Sequence, residues 1–188
     1  MPFARYDKNT MEPFAISVIA HSFSSVYSEY IQPTDTDNFD FISPDGLHAL
    51  EVVSVIPKNE INAYEYEAQL SKGKKNLKLD KVEWAKVNED GSLSSYYGGS
   101  LRSTIEMIMG AVKKKCAKAK GRKNFCQYES IDLCVCVQDG SLMDLHSYQI
   151  ADFDFADIVF NNIFFITPSY FFRYTKQFGF EEYLRVVS

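Results

Sequence analysis

The chain is poor in residues that would settle its class at a glance. Among 188 residues there are one Trp, three His, four Cys and six Pro. No apolar run reaches the roughly 18 residues a membrane helix needs, and Met1 to Thr10 is too polar for a secretory leader. Neither a membrane span nor a secretory signal is therefore expected. No Gly-x-Ser-x-Gly elbow, P-loop or dinucleotide glycine pattern occurs. The histidines, His21, His48 and His146, are scattered, so nothing positive supports a hydrolase triad. No Cys-x2-Cys turn offers a zinc site. Cys134 and Cys136 alternate within Ile131 to Val137, which puts both thiols on one face of a strand, too strained for a mutual disulfide. Together with Cys116 and Cys126 they read as reduced cysteines of a cytoplasmic protein.

What is present is a core. Hydrophobic residues make up 46% and aromatics 15%, with 15 Phe and 12 Tyr, enough for one well-buried domain and too many for disorder. The formal charge of −5 excludes a uniformly basic nucleic-acid binder while leaving room for a local basic patch.

Apolar residues at Ile16, Ile19, Phe23, Val26 and Tyr30 predict a helix over Phe14 to Ile31, with Pro13 at its entry. Two β-rich runs, Asn38 to Ile42 and Leu47 to Ile56, flank Ser43-Pro-Asp-Gly46 and predict a hairpin. A helix over Asn59 to Ser71, a basic loop at Lys72 to Lys75 and a strand within Leu77 to Val87 follow. Gly98-Gly99-Ser100 opens a long helix with Leu101, Ile105, Ile108, Val112, Cys116 and Ala119 on one stripe, and Ser103 with Glu106 could cap it if it begins slightly later. The glycine loop at its head could hold an anion, though such a loop is more often only a connection. Ile131 to Val137 and Ile163 to Ile166 predict buried strands, and Tyr170 to Leu184 a helical tail. The order favours an α/β fold with a central mixed β-sheet flanked by helices. It reads as a single domain, 1–188, with a core over about 14–167, an insertion over about 57–100 and a helical tail over 168–188.

Two features point to chemistry. Asp40 lies between Phe39 and Phe41, and Glu51 between Leu50 and Val52. A carboxylate in a buried strand is costly unless a partner or metal compensates it, and two on neighbouring strands repel unless a cation lies between them. Oxygen ligands of this kind suit Mg²⁺ or Mn²⁺. A two-residue turn pairs positions that sum to 91, so Asp40 faces Glu51; a three-residue turn with a bulge lowers the sum to 90 and parts them. The second feature is Lys113, Lys114, Lys115, Lys118, Lys120, Arg122 and Lys123, seven positive charges in eleven residues. Lys113, Lys114, Lys115 and Lys118 fall on the solvated side of the long helix, where they could hold phosphates or simply solubilise the helix. Ala151 to Asp157 adds three acids in what reads as a solvated turn.

The order helix, strand Asp40, turn, strand Glu51, long basic helix, buried strand resembles the PD-(D/E)XK, or restriction-endonuclease-like, nuclease superfamily. The resemblance implies a restriction-endonuclease-like core and catalytic Glu29, Asp40 and Glu51. It also implies Asp40 and Glu51 as ligands of Mg or Mn, and phosphodiester hydrolysis of nucleic acid. The lysine expected two residues after Glu51 is replaced by Val53, so Lys58 or a lysine of the long helix would have to substitute. The alternative is an inactive member of the same fold acting as a binding or regulatory protein. An acidic, tyrosine-rich surface also suits a protein partner.

Overall fold

A computed structural model describes residues 8–34, 38–74, 79, 81–83, 85–95, 100–137, 147–151, 154–155, 157–167 and 170–184. Its centre is a six-stranded mixed sheet built from β1 (Phe41–Ile42), β2 (His48–Val55), β5 (Ser130–Val137), β6 (Asn162–Ile166), β7 (Tyr170–Thr175) and β8 (Gly179–Leu184), in the order β1-β2-β5-β6-β7-β8. β2, β5 and β6 run parallel, and the outer pairs are antiparallel. Parallel strands must be covered on both faces, which is why Ile131 to Val137 and Ile163 to Ile166 are buried without a break.

α4 (Leu101–Lys120) covers one face, packing Ile108, Met109, Val112, Cys116 and Ala119 onto Ala49, Leu133, Val135, Ile163 and Phe165. α1 (Lys8–Ser22) and the short α2 (Ser24–Tyr27) cover the other, with Met11, Ala15, Ile19 and Tyr27 against Leu50, Val52, Cys134, Phe164 and Phe171. Between β2 and α4 the chain makes α3 (Lys58–Leu70) and the hairpin β3 (Lys86–Val87) and β4 (Leu93–Ser95). These enclose a separate small core around Ala63, Tyr66 and Val82. Among the described residues no helix is long and apolar enough to cross a membrane.

Several boundaries differ from the sequence reading. α1 begins at Lys8 and carries Pro13 inside its length, and the helical run breaks at Phe23, whose φ of −132° is not helical. Ile31 is not helical at all but bridges Ile42 antiparallel. α4 is capped by Ser100 and Ser103 rather than by Ser103 and Glu106, each side chain bonding the other's backbone N–H. The largest correction is the tail. Residues 170–184 form the hairpin β7–β8, not a helix. Phe171 and Phe172 point to opposite faces and stack on Phe164 and Phe165. An aromatic, Thr-containing run that can lie beside an existing strand gains more by pairing than by helical spacing. Gly179, at φ +72°, closes the turn in a conformation that disfavours a Cβ.

The β1–β2 register pairs Phe41 with Leu50 and Ile42 with Ala49, a sum of 91. The loop is nonetheless longer than two residues: Ser43 N donates to His48 O, His48 N returns to Ser43 Oγ, and Gly46 takes φ +75°.

Candidate functional site

Odd-numbered residues of β2 face α4, so Glu51 lies on that side between Ala49 and Val53, almost wholly buried. On α4, Lys115 and Lys118 stand three residues apart beside the buried stripe, and Arg122 follows four residues later, just past the helix end. All three converge on Glu51. Lys115 Nζ donates to Glu51 Oε1 at 2.5 Å and to Val52 O at 3.0 Å. Lys118 Nζ lies 3.7 Å from the same oxygen, and Arg122 Nη2 lies 2.8 Å from Oε2. The Arg122 contact is ionic without hydrogen-bond alignment, since Oε2 has no hydrogen-bond partner among the described residues; the buried Nη1 of Arg122 has none among them either. The guanidinium is stacked 4.0 Å over the centroid of Phe39. Phe39 meets Tyr128 edge-on, and Asn124 Nδ2 and Tyr128 OH both donate to Asn38 Oδ1.

The side chains grade from inside to outside. The Glu51 side chain is 3% exposed, Arg122 10%, Lys115 19% and Lys118 61%. Lys115 is thus turned into the sheet and does not belong to the solvated face on which the spacing predicts it. Lys113, Lys114, Lys120 and Lys123 are exposed.

Asp40 bonds the backbone of β2. The register sum of 91, carried one step further, would set it opposite Glu51, but β1 ends at Phe41. Its Oδ2 instead accepts from Val52 N at 2.8 Å. The N–H and C=O of Val52 both face the side where β1 has stopped. Asp40 takes the first and Lys115 the second, so two side chains replace a missing strand. Glu29 is not brought to the cluster: it is exposed in the turn after α2, which packs on the opposite face of the sheet. Lys58 is exposed at the start of α3.

The donor set does not fit a divalent ion. Such a site needs several oxygens and a surplus of negative charge. Here one Glu51 oxygen and the Val52 carbonyl already hold an ammonium, and two further cations crowd the same carboxylate. Among the described residues no group of three or more His, Cys, Asp or Glu is placed to hold a metal. A cluster of three cations organised by one buried acid is instead suited to an anion.

A second buried acid escaped the sequence reading. Asp132, on β5, is buried against α2. Tyr27 OH donates to its Oδ2 at 2.6 Å, and Asn162 donates to Oδ1 through N at 2.9 Å and Nδ2 at 2.8 Å. Burial raises its carboxyl above the ordinary value, opposed by those donors. Burial also raises the Tyr27 phenol strongly, with the Asp132 charge adding to the effect. His48 Nδ1 and Ser130 Oγ, 2.7 Å apart, lie on the adjoining strands. The signal was available: Asp132 sits between Ile131 and Leu133 as Glu51 sits between Leu50 and Val52.

Elsewhere, Asp154 and Asp157 are exposed and share a cleft of about 350 Å³ with Lys113 and Lys120, while residues 152, 153 and 156 of that acidic run lie outside the described residues. His146 and Gly98-Gly99 also lie outside them. His21 is exposed. All four cysteines are free thiols, and the Cys134 and Cys136 sulfurs lie 3.9 Å apart on one face. No family model matches the chain, and neither a curated protein nor a solved structure does.

Proposed function

We propose that the chain is a nucleic-acid-binding protein that holds backbone phosphates at the C-terminal end of α4 without a divalent ion at Glu51. One observation carries this reading: a buried carboxylate gathers Lys115, Lys118 and Arg122, and four more exposed cations lie in the same eleven-residue stretch of chain. A solubilising helix face has no reason to turn Lys115 and Arg122 inward. Concentrated positive charge on an otherwise acidic chain localises a polyanion and releases its counterions. Half-buried Tyr128 and Phe125 adjoin the patch and supply aromatic surface beside it.

The test is fluorescence anisotropy of a labelled single-stranded oligonucleotide in EDTA over a salt series. Binding should persist without metal, and log K should fall linearly with log salt. Replacing Lys113, Lys114, Lys120 and Lys123 together by Ser should lower the slope by about 2 to 3, at about 0.7 per phosphate contact. No binding at low salt would reject the proposal.

A second reading, phosphodiester hydrolysis by a nuclease-like fold, is favoured by one specific observation. Lys115 of α4 bonds Glu51, and a lysine of the long helix is one the resemblance would accept in place of Val53; Asp40 bonds one residue further along β2. It requires Lys115 to leave Glu51 before any Mg or Mn could enter. Plasmid and single-stranded substrates incubated with Mg²⁺ or Mn²⁺ test it; equal products from wild type and Asp40→Ala dispose of it.

A further inference from the structure

We infer that Glu51 is a positioning residue for one discrete phosphate seat, formed by Arg122 and Lys118, and that this acid strengthens the binding of an anion. The inference rests on the nucleic-acid reading and names the part of the patch that makes a specific contact. Three observations combine. The Arg122 guanidinium is fixed from two directions, by the Glu51 carboxylate on Nη2 and by the Phe39 ring beneath it. Its other terminal nitrogen, Nη1, is buried and has no acceptor among the described residues. A buried donor left unpaired is unfavourable, and Nη1 would take one phosphate oxygen once the side chains over it move aside. Lys118 is the exposed member, its ammonium only 3.7 Å from Glu51, and its flexible stem can swing aside to admit a phosphate oxygen and then pair with it.

The charges agree with this assignment. Lys115 neutralises Glu51 at short range through Oε1, leaving Arg122 and Lys118 in excess at the mouth of the cluster. Removing Glu51 would leave Lys115 on Val52 O and release Lys118 into solvent, and Arg122 would lose the contact that holds it flat on Phe39. Simple electrostatics makes the opposite forecast, because deleting an acid raises the net positive charge and should tighten any polyanion.

The experiment compares wild type, Glu51→Gln and Arg122→Lys as full chains, using a labelled single-stranded oligonucleotide of mixed sequence in EDTA. Circular dichroism checks the fold of each variant. Glu51→Gln should weaken binding about tenfold, the worth of one charge-assisted hydrogen bond, and lower the salt slope by about 0.7, one phosphate contact. A merely structural role would leave that slope unchanged. Arg122→Lys keeps the charge but loses the fork and the planar stack, and should also weaken binding about tenfold. It decides the matter if Glu51→Gln does not fold. Tighter or unchanged binding by folded Glu51→Gln, or wild-type binding by Arg122→Lys, overturns the seat while the broader reading survives through the exposed lysines. Absence of binding by wild type itself overturns both.

Discussion

Glu51 and Asp132 are both carboxylates in apolar strands of one sheet, and β2 and β5 are neighbours, yet the two acids are accommodated in opposite ways. Asp132 is surrounded by neutral donors, a phenol and an asparagine, which accept its charge without adding one of their own. Glu51 is surrounded by cations, more of them than one carboxylate balances. The first arrangement is closed: both oxygens are bonded, and the partners come from α2 and β6 in the interior. The second is open, with an unpaired guanidinium nitrogen inside and an exposed lysine outside. Burial of a charge therefore does not by itself mark a functional site; the proposed function rests instead on the unbalanced set of partners next to solvent.

The comparison is broken most forcefully by deleting each acid. Glu51→Ala strands Lys115 and Arg122 beside a cavity, and losing one partner of a buried pair costs about 3–5 kcal/mol. The lower end is expected, because Lys115 retains a bond to Val52 O and some contact with water. Asp132→Ala leaves the Tyr27 hydroxyl and the Asn162 amide without their acceptor, at about 1–3 kcal/mol. Urea unfolding of both variants checks the order. A larger loss at Asp132 would mean that the neutral network carries more of the fold than the ionic one.

A pH series sharpens the same contrast. Asp132 has its pKa raised in the folded state, chiefly by burial. The native chain then holds a proton that the unfolded chain has released, so stability falls as pH rises from the ordinary carboxylate range toward the raised value. Asp132→Asn cannot ionise and should not share that fall. The stability of wild type relative to Asp132→Asn should therefore decline with pH across this window. A difference that stays flat would show that Tyr27 and Asn162 fully offset the burial of the charge.

Much of this fold could be read from residue order. β2, β5 and β6 announce themselves as mostly apolar, β-rich runs and α4 as a long stripe, because burial on both faces or on one leaves its trace in the sequence. The tail misled because Tyr170 to Leu184 has aromatics at spacings that suit either element, and only the edge offered by β6 decides. Glu51 was legible as an acid among apolar neighbours. Its partners were not: which lysines of Lys113 to Lys118 turn inward depends on the rotation of α4 against the sheet, and Arg122 meets Phe39 only in three dimensions. Asp40 was legible as unusual but not as the side chain that closes the ladder where β1 stops, since register alone does not show where a strand ends.

The smallest expected effect separates the stability of the cluster from its use. Lys118 is mostly exposed and stands 3.7 Å from Glu51, too far for a short bond. Exposed ion pairs contribute little, so Lys118→Met should change the unfolding free energy read from urea denaturation by less than about 0.5 kcal/mol. In the proposed seat, however, Lys118 makes a phosphate contact, and its loss should lower the salt slope of oligonucleotide binding by about 0.7. A stability loss as large as that of Glu51→Ala, with the slope unchanged, would make Lys118 a structural partner of Glu51. The cluster would then resemble the closed network around Asp132.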